Sequence, residues 1–256
     1  VTRMCLPFDV DRDFELPRTI RFTDIRTEIR DADMLICFGG DGTILHTSKI
    51  ATQHNLPVLG VNIGTMGFIA ELESGELELL RKLPKKEYTI ENRSMLDITV
   101  TNGTQQTFHE IALNDAVVTK GAIARVIQIS VCCDGVEATN FSGDGVIVCT
   151  ATGSTAYSMS AGGPIIEPSA KNLLLTPICA HMLNARPVVV SANDSICVRV
   201  TDRRSGARVV LDGRKTVPMG FGEITIRRSN RSAKFIRLHD RNYFDLLRGK
   251  LSEWTH

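Results

Sequence analysis

The sequence predicts an α/β N-terminal domain with a parallel sheet, joined to a mainly β, sandwich-like C-terminal domain. Three observations carry that reading. From residue 31 to about residue 85, apolar strand-like runs alternate with helical pattern and glycine loops, as in strand–helix–strand units of a parallel sheet. Near Lys85-Lys86 the texture turns to period-two alternation, as in Leu96, Ile98 and Val100, the pattern of half-buried strands. Beyond it, Asn102-Gly103, Asp134-Gly135 and Asp212-Gly213 punctuate the chain, and such dipeptides favour tight hairpins. The expected domains are residues 1–88 and 89–239, with a helix in 240–256 packing back on the first.

The elements follow in order. The first thirty residues are charged and loop-like, without a clear strand. Met34–Phe38 is five apolar residues long, the run expected of a buried strand. Gly39-Gly40-Asp41-Gly42-Thr43 follows, then a helix over Thr43–His54. Pro57–Asn62 is a second strand and leads into Ile63-Gly64-Thr65-Met66-Gly67-Phe68. Ser74 caps a short helix with Leu77, Leu80 and Leu83 on one face and glutamates in its first turn, where they suit the helix dipole. Further strands are expected at Arg125–Cys133, Gly145–Thr150, Leu173–Cys179, Arg186–Val190, Ile196–Val200, Val209–Leu211 and Ile224–Arg228. A short helix is expected over Thr155–Ala161, and a last one from Asn242 to Trp254.

The whole chain sets bounds on function. Its 256 residues, 43% hydrophobic and 23% charged, suit a folded soluble protein of one or two domains. A net charge of +1 gives no strong general attraction to nucleic acid or membrane. No apolar run approaches a membrane span, and no secretory signal is visible, so a cytoplasmic protein is expected. Seven cysteines at positions 5, 37, 132, 133, 149, 179 and 197 show no metal-type spacing and read as reduced thiols. Adjacent Cys132 and Cys133 point to opposite faces of a strand.

Three segments carry chemistry. Glycines between a strand and a helix let backbone N–H groups approach an anion, and the helix N-terminus adds positive character. A carboxylate inside such a loop repels phosphate. Asp41 makes sense there if it takes a proton from a substrate hydroxyl or assists a cation, which points to phosphoryl transfer to an alcohol. The bland alternative is a tight turn whose Asp41 caps the helix. The second segment runs from Gly143-Asp144-Gly145 through Thr152-Gly153-Ser154-Thr155-Ala156-Tyr157-Ser158-Met159-Ser160 to Gly162-Gly163-Pro164. Its small residues leave room for a flat ring, its hydroxyls can read polar edges, and Tyr157 can stack on a base. The third is Leu113-Asn114-Asp115. An amide pairs with the donor–acceptor edge of adenine, and a carboxylate accepts from ribose hydroxyls.

At this spacing GGDGT, NIGTMGF, LND and GDGVIVCTATGSTAYSMSAGGP resemble the motifs of the NAD kinase family, in its bacterial ATP/polyphosphate-dependent form. GGDGT alone is shared with diacylglycerol- and sphingosine-type lipid kinases, and GGDG with phosphofructokinases. The long second segment is specific to NAD kinases. The resemblance runs from about residue 31 to the C-terminus. It implies a phosphate-donor-binding first domain, an NAD-binding second domain, and a homodimer or homotetramer. It also implies phosphorylation of NAD to NADP, with Mg²⁺ or another divalent metal and with ATP or polyphosphate as donor. By the same resemblance, Asp41 acts on the adenosine ribose 2′-hydroxyl as general base or metal-assisting carboxylate. Gly39, Gly40, Gly42 and Thr43 line the phosphates. Asn114 lies at adenine, Asp115 at a ribose, and Asp144 at a sugar or nicotinamide. Thr152, Thr155, Ala156 and Tyr157 form the adenine pocket with Ser160 just beyond, and Phe68 borders the site. The Asp212-Gly213-Arg214 triplet resembles a later family motif. The family also opens with a strand and helix before GGDG, which residues 1–30 do not display.

No lysine or arginine in these motifs reads as a phosphate clamp, and His46, Lys120 and Arg125 read as surface or packing residues. A lipid kinase and a non-catalytic NAD(P) sensor remain alternatives. The first needs a membrane-facing basic amphipathic helix. The second has no use for Asp41.

Overall fold

The computed structural model describes residues 3–4, 21–22, 24–64, 67–102, 105–121, 125–182, 184–201, 206–219, 222–240 and 242–253. In the first thirty residues, where no strand was expected, β1 (Arg3–Met4) and β2 (Arg21–Phe22) form a two-residue parallel pair. A single helical turn, α1 (Ile25–Glu28), follows. Nothing in their period announces strands that short.

The strand–helix–strand unit is β3 (Leu35–Phe38), α2 (Asp41–Gln53) and β4 (Pro57–Asn62), with β3 and β4 parallel. α2 starts two residues earlier than expected, because Gly40 is its extended N-cap and Asp41 its first helical residue. It ends where Asn55 turns left-handed at φ 59°, ahead of Pro57. β5 (Leu72–Glu73) pairs parallel with the end of β4. Ser74–Lys82 is a 3₁₀ helix, capped not by Ser74 but by Glu73 in a reciprocal box with Glu76. A longer carboxylate reaches the same orphan N–H groups. Leu79, Leu80 and Leu83 pack inward from it, and Leu77 is left exposed.

β6 (Thr89–Asn102) and β7 (Gln105–Ala112) form the expected hairpin, although its Gly103 lies outside the described residues. β8 (Asp115–Thr119) follows, then β9 (Ile127–Cys133) and β10 (Val136–Gly143). Asp134 and Gly135 join the last two with φ of 48° and 82°, the positive pair that a twisted two-residue hairpin requires. β11 (Gly145–Cys149) leads to a 3₁₀ turn, Thr152–Thr155, and to α3 (Tyr157–Ser160), where one short helix was expected. β12 (Leu173–Ile178), β13 (Val188–Val190), β14 (Ile196–Val200), β15 (Arg208–Leu211) and β16 (Lys215–Pro218) follow. β17 (Glu223–Arg237) runs far past the expected Arg228, across an irregularity between Arg228 and Ser232. α4 (Tyr243–Glu253) ends the described chain.

These strands make two large sheets. The nine-stranded sheet runs β10-β9-β14-β17-β4-β3, with β5, β6 and β7 attached. β17 is its spine. Its first part pairs with β14, its last part pairs parallel with β4, and β6 follows it on the other side. One sheet thus runs through both the parallel and the antiparallel regions. The six-stranded sheet, β13-β12-β11-β8-β15-β16, is antiparallel throughout.

The sheets face each other across the main core. Ile98, Ile129, Phe141, Ile196 and Ile224 meet Ala116, Val118, Val146, Val148 and Val209 there, as in a sandwich. Alternate residues of β8 and β11, Val117, Ile147 and Cys149, point the other way and are also buried, against Ala161 and Ile166. The segment after β11 therefore roofs the outer face of the second sheet. α2 packs Ile44, Leu45 and Ala51 on the parallel face, with Met95, Leu113 and Phe235. No helix among the described residues is long and apolar enough to cross a membrane.

Candidate functional site

Both glycine loops lie at the carboxyl ends of parallel strands, where α/β sheets bind ligands. The Asp41 carboxylate links them. Its Oδ2 accepts from Phe68 N–H at 2.6 Å and its Oδ1 from Ile69 N–H at 3.1 Å. Gly67 is obligatory beneath this clasp, since a Cβ there would sit 2.0 Å from Asp41 Oδ1. Gly39 presses on Thr43, where a Cβ would lie 2.7 Å from the threonine Cβ. Gly40, Gly42 and Thr43 surround the first turn of α2, with Gly42 and Thr43 exposed. Phe68 carries the Lys250 Nζ of α4 at 4.5 Å from its ring centre, a cation–π distance. His46 lies one turn further along α2. Partial burial, then Arg214 and Lys49, push its pKa down.

Asn114 and Asp115 form the turn into β8. The Asp212 carboxylate holds this turn, accepting N–H groups from Leu113 at 3.1 Å, Asn114 at 2.8 Å and Asp115 at 3.3 Å. Asp212 and Gly213 adopt φ of 49° and 64°, so the hairpin turn itself aims that carboxylate. Asn114 Oδ1 is buried without a hydrogen-bond partner among the described residues. Such a group costs free energy unless something bonds it. Asp115 is 4% exposed. Burial, then the neighbouring Asp212 charge, raise its pKa to about 7.

The Thr150–Ser160 segment closes over this turn. Thr150 N–H donates to Asn114 O at 2.9 Å and its hydroxyl to Leu113 O at 2.6 Å. A Cβ on Gly153 would lie 2.1 Å from Asn114 O, so glycine is needed for the approach. Thr152 is buried, Thr155 and Ala156 are half-buried, and Tyr157 and Ser160 are exposed. Tyr157 is 47% exposed as a residue, which suits an aromatic that takes a stacking partner.

A polar chain connects the two halves. Ile69, which donates to Asp41, accepts from Arg237 Nη1 through its carbonyl at 3.3 Å. Arg237 Nε bonds Glu91, and Arg93 Nη2 bonds the same carboxylate at 3.1 Å. Arg93 Nη1 then donates to Thr152 Oγ1 at 3.2 Å. Burial pushes the Glu91 carboxyl up, but Arg237 and Arg93 outweigh it and hold it low. Asp212, Glu91, Arg93 and Arg237 were assigned no role from sequence. Apart from the Glu91–Arg93 pair, their partners lie 59 to 168 residues away, and no local pattern signals them.

The structure brings Asp41, Phe68 and the first glycine loop together, and separately Asn114, Asp115 and the Thr152–Tyr157 segment. It does not bring Asp144 to them. Asp144 precedes β11, whereas Thr150 follows it, and Gly145 pairs with Thr119 while Cys149 pairs with Asp115. The strand thus separates Asp144 from Asp115 by about 15 Å. Its carboxylate instead meets Lys120 Nζ at 2.6 Å, so Lys120 is not merely a surface charge. Among the described residues no group of three or more His, Cys, Asp or Glu side chains is placed to hold a metal.

A parallel unit with glycine loops, set against a sandwich roofed by small residues, defines a nucleotide-binding protein of the α/β-plus-β class. Residues 12–88 match the ATP-NAD kinase N-terminal domain and residues 113–238 the ATP-NAD kinase C-terminal domain. The chain belongs to the NAD kinase family and is an NAD kinase enzyme. It is 40% identical over 233 residues to the NAD kinase of Heliobacterium modesticaldum, covering 90% of this chain and 82% of that one. The Clostridium botulinum NAD kinase is 40% identical over 226 residues, covering 88% and 80%. Among solved structures, yeast NADH kinase complexed with NADH is 28% identical with a TM-score of 0.80, over 93% of this chain and 72% of that one. An NAD kinase from Archaeoglobus fulgidus in complex with ATP is 30% identical with a TM-score of 0.75, over 91% and 90%.

Proposed function

We propose that this chain transfers the γ-phosphoryl group of ATP to the 2′-hydroxyl of the adenosine ribose of NAD, giving NADP and ADP. The hydroxyl oxygen forms the new P–O bond as its proton passes to Asp41, and ADP carries away the electrons of the broken bond. The observation that carries this reading is the Asp41 carboxylate, oriented by Phe68 and Ile69 at the junction of the two glycine loops. Each carboxylate oxygen keeps a second lone pair beyond the amide it accepts, so the clasp orients the group without exhausting it. The unpartnered Asn114 Oδ1 suits the exocyclic amine of adenine. Asp115 suits a ribose hydroxyl, and Thr152, Thr155, Ala156, Tyr157 and Ser160 the surrounding pocket. Asp144, paired with Lys120, is in this reading a second acidic contact for a sugar or the nicotinamide.

Magnesium fits this site as part of the Mg–nucleotide substrate. Mg²⁺ is commonly held by one or two carboxylates together with substrate phosphates, and the described residues offer no larger cage. When bound, it neutralises charge on the transferring phosphates. The Archaeoglobus relative's complex with ATP supports that donor, and the yeast relative's complex with NADH supports a dinucleotide acceptor. We also expect a cytoplasmic homodimer or homotetramer, which cell fractionation and sedimentation of the full chain would test.

NADP formation from NAD, ATP and Mg²⁺ is the assay, with Asp41→Asn alongside. The variant should bind NAD within a few-fold of the parent in calorimetry while kcat falls by about 10²–10⁴. Full turnover by a variant that binds NAD normally would remove Asp41 from the chemistry.

A further inference from the structure

Strands β3, β4 and β17 run parallel, so their carboxyl ends share one edge of the sheet. Asp41 follows β3 there, and the turn holding Phe68 and Ile69 follows β4. Arg237 is the last residue of β17. Its Nη1 donates to Ile69 O at 3.3 Å and to Glu71 Oε2 at 3.1 Å, and its Nε donates to Glu91 Oε2. Glu71 Oε1 in turn accepts the Leu238 and His239 N–H groups at 2.7 and 2.8 Å. Side chains therefore lace residues 69–71 to residues 237–239.

Ile69 is gripped from both sides. Its N–H donates to Asp41 Oδ1 at 3.1 Å, and its carbonyl accepts from Arg237. The second amide on Asp41 comes from Phe68, one residue earlier. Both donors that orient the carboxylate thus sit on a turn that Arg237 fixes from behind. The guanidinium is itself held in place. Its side chain is 17% exposed and faces the carboxylates of Glu71 and Glu91, which are 8% and 28% exposed. A purely structural cluster would need only those ion pairs. Here the guanidinium also commits a donor to the carbonyl of the residue that feeds Asp41. Glu91 extends the cluster to Arg93, whose Nη1 reaches Thr152 Oγ1 at 3.2 Å. One connected set of side chains therefore ties the Asp41 clasp to the segment read as the adenine pocket. The planar fork of arginine serves groups on separate segments at once, which a single ammonium cannot do.

We propose that Arg237 is a positioning residue for phosphoryl transfer. It fixes the Phe68 and Ile69 amides, and through them sets the Asp41 carboxylate against the bound adenosine. The assignment rests on the kinase reading above. Arg237 acts through Ile69 and Asp41 and not on the substrate, so its loss belongs in kcat. A misplacement of about 1 Å can cost about a hundredfold in rate.

The test uses two variants of the full chain. Arg237→Lys keeps the charge between Glu71 and Glu91 but not the fork. The double variant Arg237→Gln/Glu71→Gln removes a matched pair of charges. Both are compared with the parent by urea midpoint, by steady-state NADP formation, and by hydrogen exchange at the Phe68 and Ile69 amides read by NMR. Each folded variant should lose kcat roughly ten- to hundredfold, with KM for NAD and for Mg–ATP within about threefold. Both amides should exchange at least about tenfold faster relative to the amides of β8. In an Asp41→Asn background the same substitutions should lower kcat less than about twofold further, because a residue that acts through Asp41 has nothing left to position. A folded variant whose kcat and amide exchange stay within about twofold of the parent overturns the proposal. So does a full further loss in the Asp41→Asn background, or a loss expressed in KM for NAD. Should neither variant fold, Glu91→Gln weakens one anchor and leaves Arg237 in place, and the same comparison decides. A parent that makes no NADP defeats the kinase reading instead, and amide exchange still decides whether Arg237 holds the clasp.

Discussion

Asp115 supplies a prediction in which stability, not activity, reads the site. It opens β8, is buried, and takes no hydrogen bond on its carboxylate among the described residues. Burial and the Asp212 charge raise its pKa from 3.8 to about 7. A raised carboxyl pKa means that the folded state holds the proton more tightly than the unfolded chain. Stability should therefore fall as pH rises from about 4 to about 7, then level off. At about 1.4 kcal/mol per pH unit, the ionised group costs the fold up to about 4 kcal/mol above pH 8. Asp115→Asn removes this titration and adds a buried amide whose cost does not vary with pH. The gap between variant and parent should therefore move by about 3 kcal/mol in the variant's favour between pH 4.5 and 8.5. That corresponds to roughly 6–12 °C in melting temperature for a chain of this size. Urea unfolding of both proteins at the two pH values is the assay. A gap that stays constant within about 0.5 kcal/mol would mean that Asp115 ionises as freely in the fold as outside it, and the argument would fail.

Two further outcomes follow from close contacts. Gly153→Ala places a methyl 2.1 Å from Asn114 O. It should cost about 1–3 kcal/mol of stability and weaken NAD binding at least tenfold, read by urea melts and calorimetry; unchanged affinity would show that the Thr150–Thr155 segment does not shape the pocket. Arg93→Gln strips a buried partner from Glu91 and Thr152. It should cost about 3–5 kcal/mol, and a loss below about 1 kcal/mol would show that Arg237 alone satisfies Glu91.

Much of the fold is legible because its causes are local. A five-residue apolar run predicts β3, and Pro57–Asn62 is a strand over the bounds its sequence suggests. Asp134-Gly135 turns where it should because few residues other than Gly, Asn and Asp readily take positive φ. The departures are informative too. Leu79 takes the place of Leu77 on the buried side, although a 3₁₀ period would keep Leu77 in line with Leu80 and Leu83, so the packing partners Leu59, Leu72 and Ile236 and not the helix period select the buried face. The hairpin dipeptides imply β7, β10 and β16 without their bounds, and β8 is not implied at all, because the polar and apolar residues of these strands announce no period on their own.

The residues of the candidate site were legible as chemistry but not as an arrangement. Composition and spacing nominate Asp41, Asn114, Tyr157 and the glycine loops. They cannot show that Asp41 holds Phe68 and Ile69, or that Asp144 stands a strand's length from Asp115. The clasp of Asp212 on residues 113–115, the Arg237–Glu91–Arg93 chain and the approach of Lys49 to Asp212 all join distant segments. By itself the sequence determined the backbone preferences and side-chain inventory, which depend on neighbours a few residues away. Only the tertiary structure decided which charges meet and which carboxylates stay dry, because burial and Coulomb attraction depend on distance in space and not along the chain.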